Sequence, residues 1–127
     1  MDRRLVTLGA TFALLAVALG AFGAHGLEGR LDARAQRSFE TAARYQMFHA
    51  IALVLTGLAA TRWPSLRSIR VAGIAFTVGI AAFCGSLYGL AAGGPRGLGM
   101  VAPLGGLSFM VGWAALAVAG VVGSRTE

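Results

Sequence analysis

The sequence predicts an all-α integral membrane protein: a four-helix transmembrane bundle forming a single domain over residues 1–127. Two observations carry that expectation. Of the 127 residues, 57% are hydrophobic and only 13% are charged, with a mean hydropathy of +0.73. The charges are also gathered, leaving uncharged runs at 5–27, 45–61, 71–95 and 97–124. A helix needs about 20 mainly apolar residues, range about 17–25, to cross the hydrocarbon of a bilayer. A soluble chain carries roughly 25% charge, so this composition excludes an ordinary cytosolic globule, a disordered chain and a nucleic-acid domain.

The first run gives a span at about 5–26, preceded by Arg3 and Arg4. A signal peptide is the poorer reading, because its apolar core is usually about 7–15 residues. The second span is placed at about 40–61, where Arg44 can snorkel to the head groups. Between these two, the segment from Glu28 to Arg44 holds seven charges. Leu27, Leu31, Ala35, Phe39 and Ala42 recur there at near-helical spacing. They suggest a short interfacial amphipathic helix before the second span, with Asp32 as its N-cap. A solvated, charged turn is the alternative. Glu40 and Arg44 stand four residues apart, the spacing of a helical ion pair.

Trp63 is placed as an interfacial anchor and Pro64 stops the second span. The third span is placed at about 70–92, the Gly-rich stretch 93–99 forms a hairpin, and the fourth span covers about 101–122. None of these runs alternates apolar and polar residues, as the strands of a β-barrel would. Four crossings put both termini on one side. That side carries six arginines and the other five, which favours the termini as cytoplasmic.

All eleven cationic residues are Arg, and the net charge is +6. With such long apolar runs between them, the arginines mark lipid head groups rather than nucleic acid. The lone Cys84 forbids an internal disulfide. Two His and one Cys are too few for a four-ligand structural zinc site unless carboxylates contribute. No metal or other cofactor is expected. No nucleophile elbow, phosphate loop or zinc-protease motif occurs, so the expectation is a protein without enzymatic activity.

Polar residues within lipid normally face the bundle interior. His25, Arg44, Tyr45, Gln46, His49, Ser86, Tyr88 and Pro103 all fall toward the same end of the predicted spans. They are the candidates for a shallow polar pocket or ligand contact near one leaflet. His49 is expected to hydrogen-bond with Tyr45, Gln46 or a neighbouring helix, and Trp113 to be a packing residue. Two histidines also admit a bis-His haem reading, which His25 opposes by sitting at a helix end. Ala16, Gly20 and Ala24, then Gly85, Gly89 and Gly93, form small-residue stripes; with Gly105 and Gly106 they are the expected helix-packing positions.

The stretches GAFGAHGL at 20–27, RYQMFHA at 44–50, FCGSLY at 83–88, and PLGG at 103–106 with GW at 112–113 cover most of the chain. Together they resemble the small membrane family catalogued as domain of unknown function 423, which includes YgdD-like bacterial proteins and is related to eukaryotic transmembrane protein 256. The resemblance implies a multi-pass protein of the bacterial inner membrane. It implies no reaction, substrate or cofactor.

Three roles follow as expectations. The first is a non-catalytic interaction or accessory protein, forming a homo-oligomer or part of a larger membrane complex. The second is a module binding a lipid or quinone, with Arg44 on a phosphate or carbonyl and Tyr45 and His49 orienting it. The third is a small-molecule transporter. All five acidic residues lie outside the uncharged runs, which lowers a proton-antiport mechanism. Membrane lipids are the partners expected in every case.

Overall fold

Asp2 starts the first helix in the manner of an N-cap. Its side chain accepts from the Arg4 and Leu5 amides at 3.0 and 3.3 Å, meeting backbone donors that the helix itself leaves unpaired. The computed structural model describes residues 1–125. Four helices fill them: α1 (Arg3–His25), α2 (Ala33–Arg62), α3 (Arg67–Ala91) and α4 (Leu98–Ser124). There is no strand among the described residues. Within α3, residues Ile80–Cys84 make one wide π turn.

Three helices, α1, α3 and α4, are long and apolar enough to cross a membrane. Their outward faces carry Leu14, Ile74, Leu104 and Met110, all largely exposed. Helix α2 is longer, at 30 residues, but falls short in apolarity. The reason lies in residues 34–49, where Arg34, Arg37, Glu40, Arg44, Gln46 and His49 interrupt the apolar residues.

The amphipathic helix expected to lie before the second span and feed directly into it is continuous with that span, with no boundary near residue 40. Asp32 does cap a helix, accepting from the Ala35 amide at 2.8 Å, but that helix is α2 itself and runs unbroken from Ala33. Once started, helix is propagated by one backbone bond per residue, and no Gly or Pro interrupts 33–56. The charged segment is therefore the opening turns of α2. Glu40 also departs from expectation, accepting from Gln36 at 3.2 Å rather than from Arg44.

The helices pack as two antiparallel hairpins, α1 with α2 and α3 with α4, with α2 and α3 in contact at the centre. The first hairpin is tied at both ends. The Asp2 amide donates to the Gly57 carbonyl at 2.9 Å, and Gln36 Nε2 donates to the Gly23 carbonyl at 2.7 Å. Between these ties, Gly9 lets α1 approach the backbone of Ala50, and Gly23 receives the Phe39 ring. In the second hairpin, Gly105 lies against the backbone nitrogen of Phe83, at the π turn. Gly112 receives the Phe76 ring. Leu53, Phe76, Ile80, Cys84 and Phe109 form the core where the two hairpins meet.

The expected packing glycines divide. Gly89 and Gly105 are close-approach positions, while a side chain at Gly20 or Gly85 would meet nothing within 4 Å, and Gly106 is nearly as open. Ala16 is buried and Ala24 exposed. Gly93 is corrected from a packing residue to a turn residue. Its φ of +87° is a conformation that a Cβ disfavours, and it lies just past the end of α3.

Candidate functional site

Gln46 and His49 are the polar centre of the molecule, only 3% and 5% exposed. Three residues apart on α2, they lie on one side of that helix. The start of α2 at Ala33 places His49 about 24 Å along the helix by its 1.5 Å rise. The site is therefore deeper than the shallow pocket expected from a span beginning at residue 40.

Gln46 links three helices. Its Nε2 donates to the Phe12 carbonyl of α1 at 2.9 Å, and its Oε1 accepts from the Tyr88 hydroxyl of α3 at 2.8 Å. The two partners together fix which end of the amide is which. The Tyr88 ring meets Phe39 edge-on at 5.1 Å between centroids.

His49 links α2 to α4. Its Nδ1 lies 2.7 Å from the Tyr45 carbonyl one turn earlier, and its Nε2 is 3.1 Å from the indole nitrogen of Trp113. A carbonyl only accepts and an indole N–H only donates. The pair therefore assigns the neutral tautomer with the proton on Nδ1 and the lone pair of Nε2 facing Trp113. The imidazole also stacks on Phe109, with centroids 3.5 Å apart and planes within 8°. Neither ring nitrogen is left to ligate iron, and His25 is exposed at the end of α1, so this geometry opposes the bis-His reading.

Beside the imidazole, α2 and α4 leave an apolar cleft of about 530 Å³ over α3. Tyr45, His49, Phe83, Phe109 and Trp113 line it, with Gly106 at its wall. The Tyr45 and Phe83 rings meet at 5.0 Å and those of Phe76 and Trp113 at 5.0 Å.

The structure thus brings together Tyr45, Gln46, His49 and Tyr88. Ser86 is buried, but its hydroxyl turns back to the Ala82 and Phe83 carbonyls of its own helix around the π turn. Arg44 does not enter the cleft. It is exposed on another groove, beside Ala16, Gly20, Ala24 and Glu40. Pro103 is exposed in the second turn of α4. Phe83 and Phe109 were not foreseen as site residues, nor Trp113 as a hydrogen-bond donor. The available signal was spacing: Phe109 and Trp113 stand four apart, as Tyr45 and His49 do, so each pair shares a helix face.

Three apolar helices of spanning length, no strand among the described residues, and the buried Gln46, His49, Thr56 and Ser86 side chains bonded within the chain define a small helical membrane protein. The chain belongs to the DUF423 family, described as a protein of unknown function, whose model matches residues 19–106. It is 41% identical over 116 residues to the UPF0382 membrane protein YwdK of Bacillus subtilis, covering 91% of this chain and 94% of that protein. A UPF0382 membrane protein of Staphylococcus epidermidis is 44% identical over 116 residues, with 90% and 92% covered. One of Haemophilus influenzae is 39% identical over 117 residues, with 92% and 93% covered. No solved structure matches.

Proposed function

We propose that all four helices cross the membrane and that the chain is a non-catalytic interaction or accessory protein, self-associated or docked within a larger membrane complex. The carrying observation is where its buried polar side chains go. Gln46, His49, Thr56 and Ser86 are each bonded to a neighbouring helix or to their own backbone. The Gln46 and His49 bonds hold helices together, and the Thr56 and Ser86 hydroxyls are satisfied within their own helices. Meanwhile Gly20, in a groove between α1 and α2, and Gly85, exposed on α3, leave small, open positions, which suit the close approach of another membrane helix.

The fourth crossing is supported by the pairing of α2 with α1. The ties from Gly57 to Asp2 and from Gln36 to Gly23 hold the two side by side over nearly the whole length of α1. A helix so paired shares the depth of its partner. Four crossings put both termini on one face of a bacterial inner membrane, with the cytoplasmic side favoured by the arginine excess. Single cysteines introduced at Arg3, Glu28, Ser65 and Arg96 into a Cys84→Ala background test this. Labelling by an impermeant maleimide is expected to group 3 with 65 and 28 with 96. Any other grouping opposes four crossings. Blue-native electrophoresis after gentle extraction tests the role itself. A discrete species larger than the protomer is expected, and a lone protomer under every mild condition would count against it.

The aromatic cleft favours a second reading, the binding of a lipid or quinone tail beside His49. Gly106→Leu would intrude into it from α4. If the reading holds, solvent extraction of the purified variant yields less bound amphiphile than the parent; equal yields oppose it.

A further inference from the structure

At the end of the bundle where α2 begins and the α3–α4 connection turns, a cavity of about 650 Å³ opens between helices. Arg34 and Ser38 line it from the first turns of α2, Arg96 from the connection, and Leu87 and Leu90 from the last turns of α3. We infer that this cavity is a binding site for the phosphate of an anionic membrane phospholipid, held between Arg34 and Arg96, with an acyl chain laid over Leu87 and Leu90.

The charge distribution comes first. Two guanidiniums from different elements border one cavity, and like charges so placed repel unless an anion joins them. Among the described residues, neither arginine has an ion-pair partner. Asp32 also borders the cavity, with Oδ1 accepting from the Ala35 amide at 2.8 Å, and its single negative charge is outweighed by the two guanidiniums. A guanidinium presents a planar fork of donors that matches phosphate oxygens two at a time. Two such forks with the Ser38 hydroxyl make a donor set for a phosphate.

The depth of the lining comes second. Leu90 and Leu87 lie about 1.5 and 6 Å below the end of α3 at Ala91, by the helical rise. Charge at the rim and leucine beneath reproduce the order of a phospholipid, head group outside and tail within. A free inorganic phosphate would use the rim and leave the leucine floor without a purpose, so the lipid is the better match. The inference rests on the membrane reading above only in needing α3 and α4 to end at the bilayer surface.

Native mass spectrometry of the whole chain in a neutral detergent tests it, with phosphatidylglycerol, phosphatidylcholine and inorganic phosphate added separately. The parent protein is expected to retain phosphatidylglycerol preferentially. Arg34→Gln/Arg96→Gln is expected to retain about tenfold less, the scale of losing charge-assisted bonds. Arg44→Gln, on a different groove, should match the parent. Should the double variant fail to fold, as read by its helical circular dichroism, each single Gln variant is expected to lose retention and Arg34→Lys/Arg96→Lys to keep part of it. Equal retention by parent and Gln variants overturns the site, and equal retention of both lipids overturns the anion preference. Displacement of the lipid by millimolar inorganic phosphate assigns the site to a soluble anion instead. A failure of the four-crossing topology appears in the maleimide grouping and not in this comparison.

Discussion

The Trp113–His49 hydrogen bond ties α2 to α4 alongside the His49–Phe109 stack, and it sits beside a cleft rather than inside a sealed core. Trp113→Phe keeps an aromatic ring but removes the donor to Nε2. Side-chain hydrogen bonds between membrane helices are worth about 0.6 kcal/mol on average and at most about 1.7. A loss in that range is expected, read by unfolding in mixed detergent and sodium dodecyl sulfate micelles. Combined with His49→Leu, the two losses should fall short of additive, because they share one bond; strict additivity would show that the bond carries nothing. Gln46 should matter more than its partner. Gln46→Leu deprives both the Tyr88 hydroxyl and the Phe12 carbonyl, whereas Tyr88→Phe removes one bond. The expected order of stability in the same assay is parent, then Tyr88→Phe, then Gln46→Leu. A Tyr88→Phe variant no more stable than Gln46→Leu would refute the three-helix role of the amide.

Helix contacts here are set by which glycines face a neighbour. Gly105→Ala would drive a methyl group into the Phe83 backbone at the π turn of α3, where backbone has little freedom to move. Overpacking of this kind costs about 1–3 kcal/mol. Gly85→Ala meets open space, so the helix preference of Ala over Gly, about 0.5–1 kcal/mol, is expected to leave it neutral or more stable. Thermal unfolding of the two variants in one detergent separates them, and equal behaviour would mean α3 and α4 are not packed at Gly105. This split also explains what could be read from residues alone. Helix ends were marked by local chemistry: the Asp32 cap, Pro64 and the glycines of 93–99. Inward faces were not, because a helix such as α4 is apolar on nearly all sides, and lipid asks of its outer face the same residues that packing asks of its inner one. Four-residue glycine spacing therefore announced close approach without saying which stripe would use it. The polar cluster was more visible, because Gln46, His49 and Tyr88 are out of place in lipid. Its distance from the start of α2 is not legible because the charges of 34–44 read as a short interfacial helix before the span rather than as the opening turns of one long helix.

At the level of the whole molecule, an arrangement of two hairpins with α2 and α3 at the centre leaves the outer sides of α1 and α4 uncovered by the chain itself. Gly20 on α1 borders an open groove of about 330 Å³ between α1 and α2, with Ala16 and Ala24 on one wall and Phe39, Ala43 and Arg44 on the other, and nothing in the protomer fills it. In water such a groove would be closed by the hydrophobic effect, but in a bilayer the competing solvent is itself apolar. Close packing against another helix must then supply the gain. Gly20→Leu adds a side chain to this groove at a position whose Cβ meets nothing within 4 Å, so it bears on assembly more than on folding. The expected outcome is unchanged unfolding in micelles together with loss of the larger species on blue-native gels. Gly105→Leu, at an internal contact, should do the reverse and lower protomer stability first. If Gly20→Leu leaves the assembly intact, α1 is not its contact face, and the same comparison at Gly85 asks the question of α3. If neither substitution disturbs it, the small open positions are lipid-facing surface and the interaction reading loses its structural basis.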